Sequence, residues 1–481
     1  MIPLSLAALA RVSGGRLAGI NDPEAESLLI CGPVVTDSRE CGPAGLYVAR
    51  VGEHADGHDF IPQALAAGAV AAMTTREIEG VASIVVEDIE EGFAALARGV
   101  VDAATDLTVI AITGSSGKTS TKDVLGQVLS AHAPTVAPQG SYNSEVGVPL
   151  TVTRITPDTR YLVVEMGARG VGHVEYLTRI APPDVSVVLN VGTAHLGEFG
   201  SREAIGRAKG EIVEALGTDG LAVLNHDDEV VRAMAARTRA RVITVSAAGN
   251  EDATLRAVAV ELDALSRPRF TITDGTGSWP VRLSLHGRHH VGNALTVFAA
   301  ARECGLSPEQ IVTALAGAAP VSRWRMEVSE RADGVTVIND AYNANPESMR
   351  AAIDALTVMG AGRRSIAVLG TMLELGEDSD LEHTNTGRYA LEQGVDLLLC
   401  VGAAGPALAA GAGATGEADR VRVLPDADAA YDLLTSEIRS GDVVLFKSSR
   451  DAGLRHLGDR VATSVAEHPS DQEGTATCSQ S

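Results

Sequence analysis

The stretch TVIAITGSSGKTSTKDVLGQVL, residues 108–129, constrains this chain more than any other. An apolar run with no polar alternation is the pattern of a parallel strand buried on both faces. A Gly/Ser turn follows it at once, and then an amphipathic helix. Backbone N–H groups in such a turn converge on phosphate oxygens, and the helix N-terminus adds favourable partial charge. Lys118 is long enough to reach β- and γ-phosphates, and the Thr119 hydroxyl is placed to ligate magnesium. Ile112 stands where the full G-x-x-x-x-G-K-[ST] pattern has its first glycine. The cradle is therefore the shortened run Gly114, Ser115, Ser116, Gly117, Lys118, Thr119, followed by Ser120. The bland alternative, a Gly-rich turn beside a surface lysine, needs strand, glycines, lysine and hydroxyl to fall in register by chance. The loop predicts ATP or GTP binding but not the reaction that uses the phosphate.

The rhythm around the loop sets the fold class. Apolar strands recur at YLVVEMG, VSVVLNVG, LAVLNHDD and RVITVS with helical stretches between them, which predicts an α/β domain with a mostly parallel sheet. Residues 252–286 carry shorter strand-like pieces, and the alternation restarts after Pro320 with VTVIND, RSIAVLG, DLLLCVG and DVVLFK. At 481 residues the chain exceeds what one core usually supports. The expected division is 1–105, 106–320 and 321–467, with a polar, aperiodic tail at 468–481 expected to be disordered.

Composition closes off other classes. A net charge of −23 argues against nonspecific nucleic-acid binding and against docking on anionic membranes. Aromatics at 3% leave little material for stacking on single strands. Five scattered cysteines form no close metal-type pair and fit a reducing compartment. The N-terminus lacks a basic segment followed by a long apolar run, and no apolar span reaches transmembrane length, so the expected location is the cytoplasm.

Several polar residues stand at strand ends downstream of the loop. Glu165 ends a buried strand, where an acid is placed to hold magnesium. His195 follows the next strand and reads equally as a capping histidine or as a nitrogen completing an oxygen-rich shell. In SREAIGRAKGEIVEAL, Ser201 can cap a helix whose Ile205, Lys209, Ile212 and Leu216 share one face. Lys209 on that apolar stripe either snorkels to the edge or points inward, where it needs pairing or chemical modification. The loop PQGSYNSEVGVPLT offers Ser141, Asn143, Ser144 and Glu145 to a sugar, a peptide or a phosphate-bound metal. The stretch INDAYNANPES, with an Asn-Pro turn signal, is oddly polar for a strand end.

Taken in order, these pieces resemble the ATP-dependent Mur ligase family. The matching runs are TDSR (36–39), GEHADGHDF (52–60), GSSGKTS (114–120), EMGA (165–168), GTAHLGEFG (192–200) and AKGEI (208–212). They continue with GRHHVGNALTVFAA (287–300), RWRME (323–327), INDAYNANP (338–346) and VLGTMLELG (368–376), so the resemblance covers residues 1 to about 465. It implies a three-domain α/β architecture: a UDP-substrate domain, a central phosphate-loop ATPase domain with a parallel sheet, and a C-terminal Rossmann-like ligase domain. It also implies ATP and Mg2+, UDP-N-acetylmuramoyl-tripeptide and D-alanyl-D-alanine as partners, and a monomer. The spelling DAYNANP, with no DNPR-type motif, favours that substrate pair over addition of the third amino acid to the UDP-linked dipeptide.

The resemblance also implies roles. Ser38 and Arg39 belong to the UDP-holding domain, and Lys118 and Thr119 grip phosphates and magnesium. Glu165 and His195 resemble metal ligands. Lys209 matches the lysine that is carbamylated in these ligases, where the resulting carboxylate helps hold a second magnesium. Asn293 matches the adenine-side asparagine, and Arg325 the arginine that approaches the γ-phosphate. Asp340 resembles the ribose-binding acid, with Tyr342 and Asn343 beside the adenine. Lys447 and Arg450 are expected near the incoming dipeptide, and Asn143 and Ser144 near substrate. Two departures stand out: His290 replaces the usual asparagine after the histidine of the GxHN element, and Ser448 in KSSR replaces a glycine, which restricts the backbone.

Overall fold

The computed structural model describes residues 1–192, 196–414, 416 and 418–464. The chain divides into two compact units, residues 1–263 with 267–322, and residue 323 onward with 264–266. The first two expected domains thus share one unit, and the expected change at 320 lies close to the observed change after Ser322.

The first unit opens with a small sheet in the order Arg16–Ala18, Ser83–Val85, Ala69–Thr74, Gly45–Val48, Val34–Val35. Its long helix, Ile89–Ala103, begins where the Asp88 side chain accepts the Glu90 and Glu91 N–H groups, and it buries Phe93, Leu96, Ala97 and Val100. A cap of this kind contributes about 1 kcal/mol. The buried stripe packs against the helices Gly147–Val152 and His173–Ile180, joining the small sheet to the nucleotide-binding part.

The main sheet has nine strands, with Thr108–Thr113 between Tyr161–Glu165 on one side and Val185–Val188 on the other. Leu221–Asn225, Arg241–Ser246 and Leu255–Leu262 continue it in parallel. Pro268–Thr273 and Ser278–Arg282 then close it as antiparallel strands, which accounts for the different look of residues 252–286. Alternate residues of the central strand serve opposite faces: Val109 and Ala111 enter one core with Ile205 and Ile212, while Ile110 and Ile112 enter another with Val124, Val128 and Phe298. Full burial of each isoleucine contributes about 2 kcal/mol, which is why an all-apolar strand must be central. The chain leaves the central strand, visits the edge strand Thr135–Val136, and returns to both sides of it. That places a crevice at the C-terminal strand ends, where such sheets bind ligands.

The second unit is a six-stranded sheet in the order Glu327–Glu330, Thr336–Asn339, Val443–Lys447, Ser365–Leu369, Leu397–Val401, Val421–Leu424. All neighbours are parallel except the first pair. Apolar cores lie on both faces, one around Met349, Leu356 and Leu398, the other around Val337, Val368 and Leu457. The Asn-Pro of INDAYNANPES starts the helix Pro346–Met359 through a capping box between Asn345 and Ser348. Among the described residues no helix is long and apolar enough to cross a membrane. The tail expected at 468–481, and residues 465–467 before it, lie outside the described residues.

Candidate active site

Gly117 caps the helix Lys118–Ser130 with a left-handed backbone, φ 79°. A Cβ built on it would come within 3.2 Å of Asn293 Oδ1, so both conformation and space call for glycine. The loop before it is braced by Asn190: its Oδ1 accepts the Ser116 N–H at 2.9 Å, its Nδ2 donates to Ser116 O at 3.2 Å, and its carbonyl accepts from Ser115 N. Ser115 Oγ accepts the Gly192 N–H at 3.0 Å. Lys118 Nζ donates to Gly114 O at 2.7 Å, closing its side chain over the loop. Ser120 is half-buried on the next turn.

Glu165 is the hub beside this loop. Its carboxylate is buried and accepts from Thr119 Oγ1 at 3.0 Å, Asn143 Nδ2 at 2.7 Å and Ser141 Oγ at 3.3 Å. Thr119 Oγ1 and Ser141 Oγ lie 3.2 Å apart. A carboxylate and two hydroxyls form a hard, oxygen-only donor set of the kind magnesium takes with few protein ligands. Among the described residues no group of three or more His, Cys, Asp or Glu side chains could hold a metal. His195 lies outside the described residues.

Lys209 sits in the helix Arg202–Glu214, which Ser201 caps by accepting the Ala204 N–H. Only 2% of Lys209 is exposed, so it does not snorkel; Ile205 and Ile212 flank it as the stripe predicts. Burial, then the neighbouring Lys118 ammonium, hold its pKa well below the ordinary lysine value. Among the described residues Nζ finds no hydrogen-bond partner. A neutral amine is nucleophilic toward CO2, and conversion to a carboxylate would turn the loss from two like charges into an attraction.

Asn293 borders the loop from the helix His290–Glu303. Its Nδ2 lies 3.4 Å from Nδ1 of the departure residue His290, which is buried and whose ring lies tilted at 40° against that of His289, centroids 4.2 Å apart. Burial, then His289 and His286, push the His290 pKa well below the usual range, leaving a neutral ring.

In the second unit, Arg325 Cζ lies 4.3 Å from the Tyr342 ring centroid and Arg450 Cζ 5.8 Å from it. Trp324 stacks with Tyr342 at 6.4 Å and is held by its indole N–H to Asp459 at 3.1 Å. Lys447 is buried, and its Nζ donates to Asp340 Oδ2 at 2.6 Å, Asn343 O at 3.1 Å and Asp340 O at 3.3 Å. Asn343 is exposed, and its Oδ1 accepts the Ala344 N–H. Ser448 is fully buried without a left-handed φ, so its backbone does not need glycine.

The sequence-derived residues therefore separate into groups. Lys118, Thr119, Glu165, Asn143, Asn293 and Lys209 gather around one loop, whereas Arg325, Asp340, Tyr342, Lys447 and Arg450 gather within the second unit. Ser144 does local work, its Oγ accepting the N–H groups of Val146 and Gly147 at 3.5 and 3.4 Å where a short helix begins. Ser38 and Arg39 stand in the small N-terminal sheet. Ser38 Oγ donates to Gln63 Oε1 at 3.0 Å, and exposed Arg39 forks onto Asp37, drawing that carboxyl down to about 2. Asn190 was missed; its signal is the amide ending the apolar run VSVVLN. Ser141 was noted only as one of several polar loop residues.

A strand–loop–helix phosphate cradle with an adjoining acid and buried lysine defines a nucleotide-dependent enzyme, and comparison places it. Residues 33–111 match the Mur ligase family catalytic domain, 112–301 the Mur ligase middle domain, and 324–450 the Mur ligase glutamate ligase domain. The chain belongs to the Mur ligase family. Within it, the chain is 46% identical to the UDP-N-acetylmuramoyl-tripeptide--D-alanyl-D-alanine ligase of Mycobacterium tuberculosis strain H37Rv, over 95% of this chain and 98% of that one. The ligase of the same name from Bacillus subtilis is 32% identical over 95% and 98%. A crystal structure of MurF from Acinetobacter baumannii superposes with a TM-score of 0.85 at 31% identity, covering 96% and 99%.

Proposed function

We propose that the chain is an ATP-dependent ligase that joins D-alanyl-D-alanine to the terminal carboxylate of UDP-N-acetylmuramoyl-tripeptide. One observation carries the reaction class: the Gly114–Thr119 cradle, the Glu165 carboxylate and the buried Lys209 converge in one crevice. The substrates follow from relatives named for that reaction and matched along nearly the whole chain.

The chemistry must replace a poor leaving oxygen on a carboxylate. ATP transfers its γ-phosphoryl group to the tripeptide carboxylate, releasing ADP and forming an acyl phosphate. The dipeptide amine then attacks the acyl carbon, the tetrahedral adduct expels phosphate, and the amine loses a proton as the amide forms. The loop amides and Lys118 orient the phosphates and offset their charge. Magnesium would be held by Thr119 and Glu165, with carbamylated Lys209 and His195 as further ligands, and would supply Lewis-acid charge neutralisation there. Asn293, Tyr342, Asn343 and Asp340 are the proposed nucleoside contacts, Arg325 the proposed phosphoryl contact and Arg450 a dipeptide contact. Ser38 and Arg39 are the proposed UDP-side contacts.

Addition of a third amino acid to the UDP-linked dipeptide is the competing reading. The structure named as a diaminopimelate-adding ligase of that kind matches at 17% identity and a TM-score of 0.51, which is a likeness of fold alone. ADP release should be seen with UDP-N-acetylmuramoyl-tripeptide plus D-alanyl-D-alanine. Turnover only with the dipeptide precursor plus single amino acids would reject the assignment.

A further inference from the structure

Arg325 lies between two bulky residues with left-handed backbones, Trp324 at φ 59° and Met326 at φ 49°. A side chain beyond glycine is strained there, and such strain persists only where the surroundings over-determine it. Here the surroundings are carboxylates. Glu327 Oε2 accepts the Trp324 N–H at 2.9 Å, and Asp340 Oδ1 accepts the Met326 N–H at 3.0 Å. Asp340 is itself held from below, because its second oxygen takes Lys447 Nζ at 2.6 Å.

The same ammonium donates to the carbonyls of Asp340 and Asn343, which bracket Tyr342. An ammonium has three donors, and all three are engaged. Lys447 is 1% exposed. It thus has neither the reach nor a spare donor for a dipeptide. What it touches is the acid that fixes the turn carrying Arg325, and the loop carrying the ring on which Arg325 rests.

We propose that Lys447 and Asp340 form a positioning pair that holds the strained Trp324–Met326 turn and the Tyr342 loop in register, so presenting the Arg325 guanidinium in one place. The inference rests on the proposed function insofar as Arg325 serves the nucleotide chemistry. It reassigns Lys447 from substrate contact to support, and gives Asp340 a task beyond any contact with ribose.

The test compares R325A, D340N and K447M with the double variants R325A/D340N and R325A/K447M, all in the full chain. Steady-state ADP release is one readout. The other is the side-chain NMR signal of Arg325 Nε–H, shifted by the Tyr342 ring current and assigned by its absence in R325A. D340N and K447M should each lower kcat about a hundredfold, the scale of a misplaced catalytic group. Neither should lower it further once Arg325 is alanine, because groups acting through one another are not additive. KM for D-alanyl-D-alanine should stay unchanged in K447M, and the Arg325 signal should lose its ring-current shift in both single variants.

Independent, additive losses overturn the pair's role, as does a raised dipeptide KM with kcat retained in K447M. An Arg325 signal unmoved in D340N overturns it too, and that arm decides alone if K447M fails to fold. A wild-type chain that releases no ADP rejects the proposed function instead, and the NMR arm still judges the pair.

Discussion

Gly117 and Trp324 both adopt left-handed backbones, at φ 79° and 59°, yet they reach them by opposite routes. At the phosphate loop the conformation comes without strain, because glycine has no Cβ, and the loop's geometry is written in its residue types. In the second unit a tryptophan and a methionine hold the same region of backbone space. Their residue types do not favour it; side-chain carboxylates enforce it, Glu327 three residues from Trp324, Asp340 fourteen from Met326 and Asp459 135 from Trp324 in sequence. The first site is a cradle that any helix entry of this spelling would make. The second exists only after the sheet of the second unit has formed.

The largest expected effect lies on the loop side. Lys209→Ala should abolish turnover, and high bicarbonate should not restore it, since the variant has no amine to carbamylate; near-normal ADP release would discard that role. Gly117→Ala comes next. Left-handed strain of about 1–2 kcal/mol adds to the encroachment on Asn293, and kcat should fall by about a hundredfold or more.

The mirror-image change in the second unit decides whether the two turns truly differ. Were Trp324 a misplaced glycine, Trp324→Gly would stabilise the fold by nearly 1 kcal/mol through relief of strain. Because the indole is anchored by Asp459 and packed by Tyr342, a net loss of about 2 kcal/mol is expected instead, read from chemical denaturation. A gain would collapse the comparison.

The smallest effect is in pH. His290 has its folded-state pKa held well below the ordinary 6.5, so between those values the unfolded chain carries a proton that the folded chain does not. Stability therefore falls as pH drops below 6.5, at no more than about 1.4 kcal/mol per pH unit for one group. Buried His383, also shifted down, adds in the same direction. His290→Asn should flatten the acid limb of a Tm–pH curve without removing it; an unchanged slope would mean that His290 is not the titrating group.

Much of the first unit was legible because its signals are local. The apolar run 108–113, the glycines, and the spacing that puts Lys209 beside Ile205 and Ile212 each state a backbone shape or a buried face directly. Ser201 announced a helix start in the same way, whereas the Asn-Pro read as a turn proved to open a helix that Asn345 caps. Asn190 was harder to see, since one amide at a strand end is ordinary until it is known to face Ser116. The partners of Lys447 were not legible, because burial of an ammonium under Asp340 and Asn343 depends on strands distant in sequence. Ser448 looked costly beside a glycine pattern, yet its backbone never enters the region where glycine is needed.

The sequence by itself determined the α/β class, the phosphate cradle, the inward lysine and, through the ordered motifs, the family. Those are properties of short windows, where residue type and period dictate conformation. Only the tertiary structure decided that Glu165 gathers Thr119, Ser141 and Asn143, that Lys447 spends its charge on Asp340, and that Arg325 is carried by a strained turn. Each of those depends on side chains brought together by the fold, from 22 to 46 residues apart around Glu165 to 107 between Lys447 and Asp340, and such pairings leave no periodic pattern to read.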